Sequence, residues 1–184
     1  ISSIMSPLPT EIIYHIIDQF KNHKELLIQC SVISQVWAHR SRFHLFHTVQ
    51  LHDNFFAFFK LCSNKCSTIS MHVHCLSIDQ SQCNAVALAP IISPLYCTLL
   101  DKVLTWRAEN GASISDLFPK LNQLNLDWIG WWMLSAKAKF TLATGFYSIK
   151  KLQLSNVVFD SEHEFQEALC SFPMLEEVYL LSLK

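Results

Sequence analysis

Apolar positions near the N-terminus follow a helical rhythm. Ile13, Ile16, Ile17 and Phe20 recur three and four residues apart, with Tyr14, His15, Asp18 and Gln19 between them, the pattern of an amphipathic helix. Pro9 suits the first helical turn, and Glu11 lies where a carboxylate complements the positive end of the helix dipole. The polar run Lys21-Asn22-His23-Lys24 should end this helix. Leu26, Leu27, Cys30 and Ile33 then mark a second apolar stretch, and Ser34 is placed to cap a third helix carrying Val36 and Trp37. The pairs Ile12-Ile13 and Ile16-Ile17 make the first stripe wider than one small core requires, so one edge of it is expected to face another protein.

After residue 47 the rhythm changes. Thr48-Val49-Gln50-Leu51 alternates like a strand, and Phe55, Phe56, Phe58, Phe59 and Leu61 give a helix an aromatic face, read as core packing. A pattern apolar-x-x-apolar-x-apolar then recurs at Val73/Leu76/Ile78, Leu121/Leu124/Leu126, Ile149/Leu152/Leu154 and Leu175/Val178/Leu180. The last three copies begin 28 and 26 residues apart, at the upper end of the leucine-rich-repeat period. Each copy should supply one strand of a parallel sheet and a return segment covering its inner face. Phe118-Pro119 and Phe172-Pro173 read as breakers before their strands, and Ser161 reads as an N-cap with Glu164 as its capping-box partner. The first two copies are 48 residues apart, and residues 85–116 occupy the gap without clear repeat character. The residues between the apolar positions should project from the open sheet face: Asn122, Gln123 and Asn125, then Lys150, Lys151 and Gln153, then Glu176, Glu177 and Tyr179. These rows are neutral, basic and acidic in turn, which predicts a protein substrate of complementary charge order.

The expected architecture is α+β overall. A three-helix module spans 1–47, and an α/β solenoid with a parallel sheet spans 48–184. Because Ile1 is not Met and Lys184 follows an apolar stretch, the array is expected to be truncated at its C-terminus.

Composition narrows the function. Apolar residues make up 51% and charged residues 16%, enough apolar content for a real core. A net charge of −1 and a pI near 6.8 supply no basic stripe, so no nucleic-acid partner is expected. Seven cysteines at irregular spacing, without an Asn-x-Ser/Thr sequon, favour reduced thiols and a cytoplasmic or nuclear location over a disulfide framework. The uncharged stretch Ala85 to Leu100 is shorter than the roughly 20 residues of a bilayer span and is broken by Pro90, Ser93, Pro94 and Thr98, so no membrane partner is expected. Cys62, Cys66, His72, His74, Cys75 and Cys83 crowd together, and Cys62-x3-Cys66 has zinc-ligand spacing. The second ligand pair is irregular, however, and adjacent ligands within one strand would point to opposite faces; no metal site is assigned. With Gly111, Gly130 and Gly145 as the only glycines, no phosphate loop or nucleophile elbow can be built. No catalytic residue and no cofactor follow from the sequence, and the chain is read as a binding protein, not an enzyme.

Three segments carry a resemblance: Leu8-Pro9-x-Glu11-Ile12-Ile13-x-x-Ile16-Ile17-Asp18-x-Phe20, Cys30-Ser31-Val32-Ile33-Ser34-x-x-Trp37, and Ser41-Arg42-x-His44-Leu45-Phe46. Together they resemble an F-box, in particular that of basidiomycete fungal F-box proteins. The run from Phe159 to Pro173 is similar to the leucine-rich-repeat-like region that accompanies it, whereas Trp106 to Ser115 departs from repeat character. The resemblance implies docking on the adaptor subunit of an SCF-type ubiquitin ligase through Leu8, Pro9, Ile12, Ile16, Val32 and Trp37, while the array holds an unknown protein substrate for ubiquitin transfer. The alternative is a repeat scaffold without a ligase role.

Overall fold

Pro9 closes an extended approach to the first helix: at φ −52° and ψ 142° it occupies the N-cap, not the first turn, and its carbonyl accepts from the Ile12 and Ile13 N–H groups. In the computed structural model, which describes residues 8–81 and 98–182, this helix is α1 (Thr10–Gln19), followed by α2 (Lys24–Cys30) and α3 (Gln35–His47). They form one of two compact units, Ile1–Thr48; the other is Val49–Lys184. Ser34 is extended at the α3 N-cap and its carbonyl accepts from Ala38, but its hydroxyl makes no capping bond. The core of the first unit is small. Ile13, Ile17 and Leu27 are buried, with Tyr14, Phe20, Val36, Trp37 and Leu45 against them. At about 2 kcal/mol per buried aliphatic side chain, apolar packing alone holds such a unit weakly. Asp18 adds a polar tie between α1 and α3. Its two oxygens accept from Arg40 Nε and Nη2, each at 2.6 Å, and Oδ1 lies 2.7 Å from His44 Nε2.

The second unit opens with β1 (Thr48–Leu51) and α4 (Phe55–Cys62), then a 3-10 turn (Ile69–His72) and β2 (Cys75–Asp79). After the undescribed segment come α5 (Leu99–Thr105), α6 (Ile114–Leu117), β3 (Gln123–Asp127), a 3-10 turn (Trp131–Met133), α7 (Ala136–Gly145), β4 (Lys151–Ser155), α8 (Glu162–Cys170) and β5 (Glu177–Leu181). The five strands form one sheet in sequence order, and every pair from β2 to β5 is parallel. Register aligns the repeated apolar positions: Leu76, Leu124, Leu152 and Val178 form one row, and Ile78, Leu126, Leu154 and Leu180 the next. These rows join Phe55, Phe59, Phe118, Phe146 and Leu142 from the helical segments in one core. Ile129 and Val157, both fully buried, extend the apolar series beyond β3 and β4. The chain is thus a mixed helix-and-sheet protein.

Two backbone devices repeat with the array. Ahead of the strands, the His74 carbonyl accepts from both Asn122 and Gln123 N–H, that of Asn122 from both Lys150 and Lys151, and that of Lys150 from both Glu176 and Glu177, all at 2.8–3.0 Å. Behind the strands, Trp128, Asn156 and Ser182 adopt left-handed φ of 57°, 52° and 55°. The Trp128 N–H still reaches the Ser155 carbonyl at 3.0 Å, and Asn156 that of Leu181 at 2.9 Å, so the bend leaves the backbone paired.

Local signals placed some features incorrectly. His72 lies on a 3-10 turn and His74 ahead of β2, so neither belongs to the strand. Ser161 does cap α8 by accepting from Glu164 N–H, but the Glu164 carboxylate accepts instead from Lys139 Nζ at 2.6 Å and from Asp160 N–H at 3.0 Å. A reciprocal capping box occurs at Ser113 and Asp116, at the start of α6. Thr98 and Ser135 cap α5 and α7 in the same one-sided way as Ser161. No helix among the described residues is long and apolar enough to cross a membrane; residues 85–97 of the uncharged stretch lie outside the described residues.

Candidate binding surfaces

Helical geometry divides α1 between inside and outside. Ile13 and Ile17, four residues apart, point inward and are buried, so Ile12, one position away, is turned outward and 48% exposed. Leu8, ahead of the helix, is 57% exposed, and Val32, in the turn after α2, is 82% exposed. Pro9 is exposed and Ile16 half-buried. Trp37 is half-buried against the Ile13, Ile17 and Leu27 core, so it supports the unit at the same time as it shows an edge. Leu26, Ile28 and Ile33 are exposed as well; the sequence places Leu26 and Ile33 on the second apolar stretch but marks none of the three as outward-facing. The signal for Leu26 and Ile28 is helical geometry, since the face of α2 that turns Leu27 and Cys30 inward leaves both neighbours of Leu27 outside, while Ile33 lies in the turn after the helix.

Asp18 of this unit pairs with Arg40 and His44. The Arg40 guanidinium, bonded to both carboxylate oxygens, holds the Asp18 carboxyl down at about 2, and His44 assists while partial burial opposes. The same guanidinium lies 4.8 Å from the Phe43 ring centroid and 5.4 Å from that of Tyr14, within cation–π range. The cluster joins α1 to α3.

On the open face of the sheet, Gln123, Lys151 and Glu177 form one cross-strand row, and Asn125, Gln153 and Tyr179 the next. Asn122, Lys150 and Glu176 do not belong to the strands; each stands one residue ahead, exposed at the rim. The carbonyl that accepts two successive N–H groups breaks strand alternation at this point, which a strict period of two cannot reveal. The expected charge order is also altered, because the basic and acidic rows pair with each other. Lys150 Nζ lies 2.6 Å from Glu176 Oε1, and Lys151 Nζ 2.7 Å from Glu177 Oε1. Tyr179 donates its hydroxyl to Glu177 Oε2 at 2.6 Å. Lys151, followed by Tyr179, lowers the Glu177 carboxyl, and Glu177 raises both Lys151 and Tyr179. Gln123 donates to Asn125 Oδ1 at 3.0 Å along β3. The face is therefore polar, nearly neutral and internally bonded, and a partner that fits it need not carry an alternating charge.

Among the described residues no group of three or more His, Cys, Asp or Glu side chains is placed to hold a metal ion; Cys83 lies outside them. Burial pushes the Cys62 thiol up to about 12, opposite to what a metal-binding or nucleophilic cysteine needs. His74 Nδ1 bonds the His72 carbonyl at 2.8 Å. No protein-family model matches the chain, and no curated protein matches it.

Proposed function

We propose that this chain is a substrate-recognition subunit of an SCF-type ubiquitin ligase, acting in the cytoplasm or nucleus without bond chemistry of its own. On this reading the first unit is an F-box-like module that docks on the ligase adaptor, and the second is a leucine-rich-repeat-type solenoid that holds a protein substrate. The observation that carries it is the outward set Leu8, Ile12 and Val32 on a unit whose own core is three buried aliphatic residues. Each such side chain gains roughly 1.5–3 kcal/mol when a partner buries it, and a few apolar anchors of this kind dominate protein interfaces. The resemblance of the Leu8–Phe20, Cys30–Trp37 and Ser41–Phe46 segments to an F-box supports the same assignment. The contribution to catalysis is proximity: a substrate held on the array is presented to the ubiquitin-loaded enzyme as if at high local concentration.

Besides the stretch from Trp106 to Ser115, the second unit departs from the leucine-rich-repeat pattern within its repeated segments. Where that pattern carries Asn or Cys three residues after its third leucine, this chain has buried Ile129 and Val157. Apolar packing takes the place of a side-chain polar ladder there.

Binding of the purified chain to recombinant adaptor, measured by calorimetry, tests the reading. Replacing Leu8, Pro9 and Ile12 together with alanine is expected to weaken binding more than about a hundredfold, with the far-ultraviolet dichroism unchanged because none of the three is buried. Trp37→Ala should lower both binding and stability. A native chain that does not bind adaptor, or a triple variant that binds as tightly as the parent, would leave the scaffold reading in its place.

A further inference from the structure

We draw no further inference here: the strongest candidate, the aspartate pair Asp79 and Asp127 that stands in register at the ends of β2 and β3 ahead of the exposed Trp128, carries nothing because two neighbouring carboxylates are not by themselves a site and no second observation in the structure points to what they would bind.

Discussion

Replacing Asp18 with asparagine removes the charge that joins α1 to α3 while keeping the side chain's size and one acceptor. The carboxyl ordinarily titrates at 3.8 and is held at about 2 in the fold, chiefly by Arg40 and then by His44. A difference of that size corresponds to at most about 2.4 kcal/mol of preference for the charged form in the folded state. The carboxylate is 34% exposed, so solvent screening reduces the contribution to about 1 kcal/mol. Because the folded value lies below the unfolded one, this stability is fully present above about pH 4 and is lost as pH falls through 4 toward 2. Hydrogen exchange read by mass spectrometry on α1 and α3 peptides measures it locally. At neutral pH the Asp18→Asn chain should open these helices at a cost about 1 kcal/mol lower than the parent, while β3 and β4 peptides exchange alike in both. The difference should shrink below pH 4 and vanish only as pH falls below 2. Equal protection at neutral pH, or a difference that persists undiminished at pH 2, would refute the role assigned to this ion cluster.

Further outcomes follow from single sites. Asn156 sits at φ 52° and donates Nδ2 to Asp127 Oδ1 at 3.0 Å, so Asn156→Val, which is β-branched and lacks the donor, should lower array stability by about 2 kcal/mol in denaturant titration. Asn156→Gly should cost less than half of that, because glycine accepts the left-handed backbone. Cys62, with its thiol raised to about 12 by burial, should resist iodoacetamide at pH 8 in the folded chain, while exposed Cys66 and Cys170 are alkylated; peptide mass mapping distinguishes them.

Much of the fold was readable because local periodicity and side-chain chemistry agreed. The three and four spacing of Ile13, Ile16, Ile17 and Phe20 marked α1, and the recurring apolar-x-x-apolar-x-apolar positions marked β3 and β4 and their register. What escaped depended on partners distant in sequence. Lys151 and Glu177 are 26 residues apart and meet only because β4 and β5 pair in register, so the charge rows looked like a code for a partner and proved to be partners of each other. Glu164 was expected to close a capping box, but Lys139, on the preceding helix α7, competes for its carboxylate. The N-cap of α6 was the opposite case. Ser113 and Asp116 are a local signal with the right spacing, in a stretch whose other residues carry no repeat. The displacement of Asn122, Lys150 and Glu176 from the strands came from the doubly accepting carbonyl, a feature of backbone geometry with no counterpart in side-chain pattern.

The paired charges of the open face change how substrate recognition works on the proposed reading. Lys150–Glu176 and Lys151–Glu177 are close but solvent-facing, and exposed pairs of this kind contribute no more than about 1 kcal/mol each. A partner can displace them at small cost and gains little from matching their charge. Reversing Lys150 and Lys151 to glutamate would therefore be a poor probe of binding, since it sets like charges against Glu176 and Glu177 and strains the β4–β5 pair itself. Neutral replacement of a whole pair, Lys151→Gln with Glu177→Gln, leaves the strands compatible and removes only the charge. Discrimination between substrates then falls to groups that cannot neutralise each other: the amides of Asn125 and Gln153 and the ring of Tyr179, which lie in one row across three strands. A polar group that is desolvated without a matching partner costs more than an exposed ion pair contributes. The row at positions 125, 153 and 179 should thus set specificity by hydrogen-bond geometry, while the row at 123, 151 and 177 tolerates exchange.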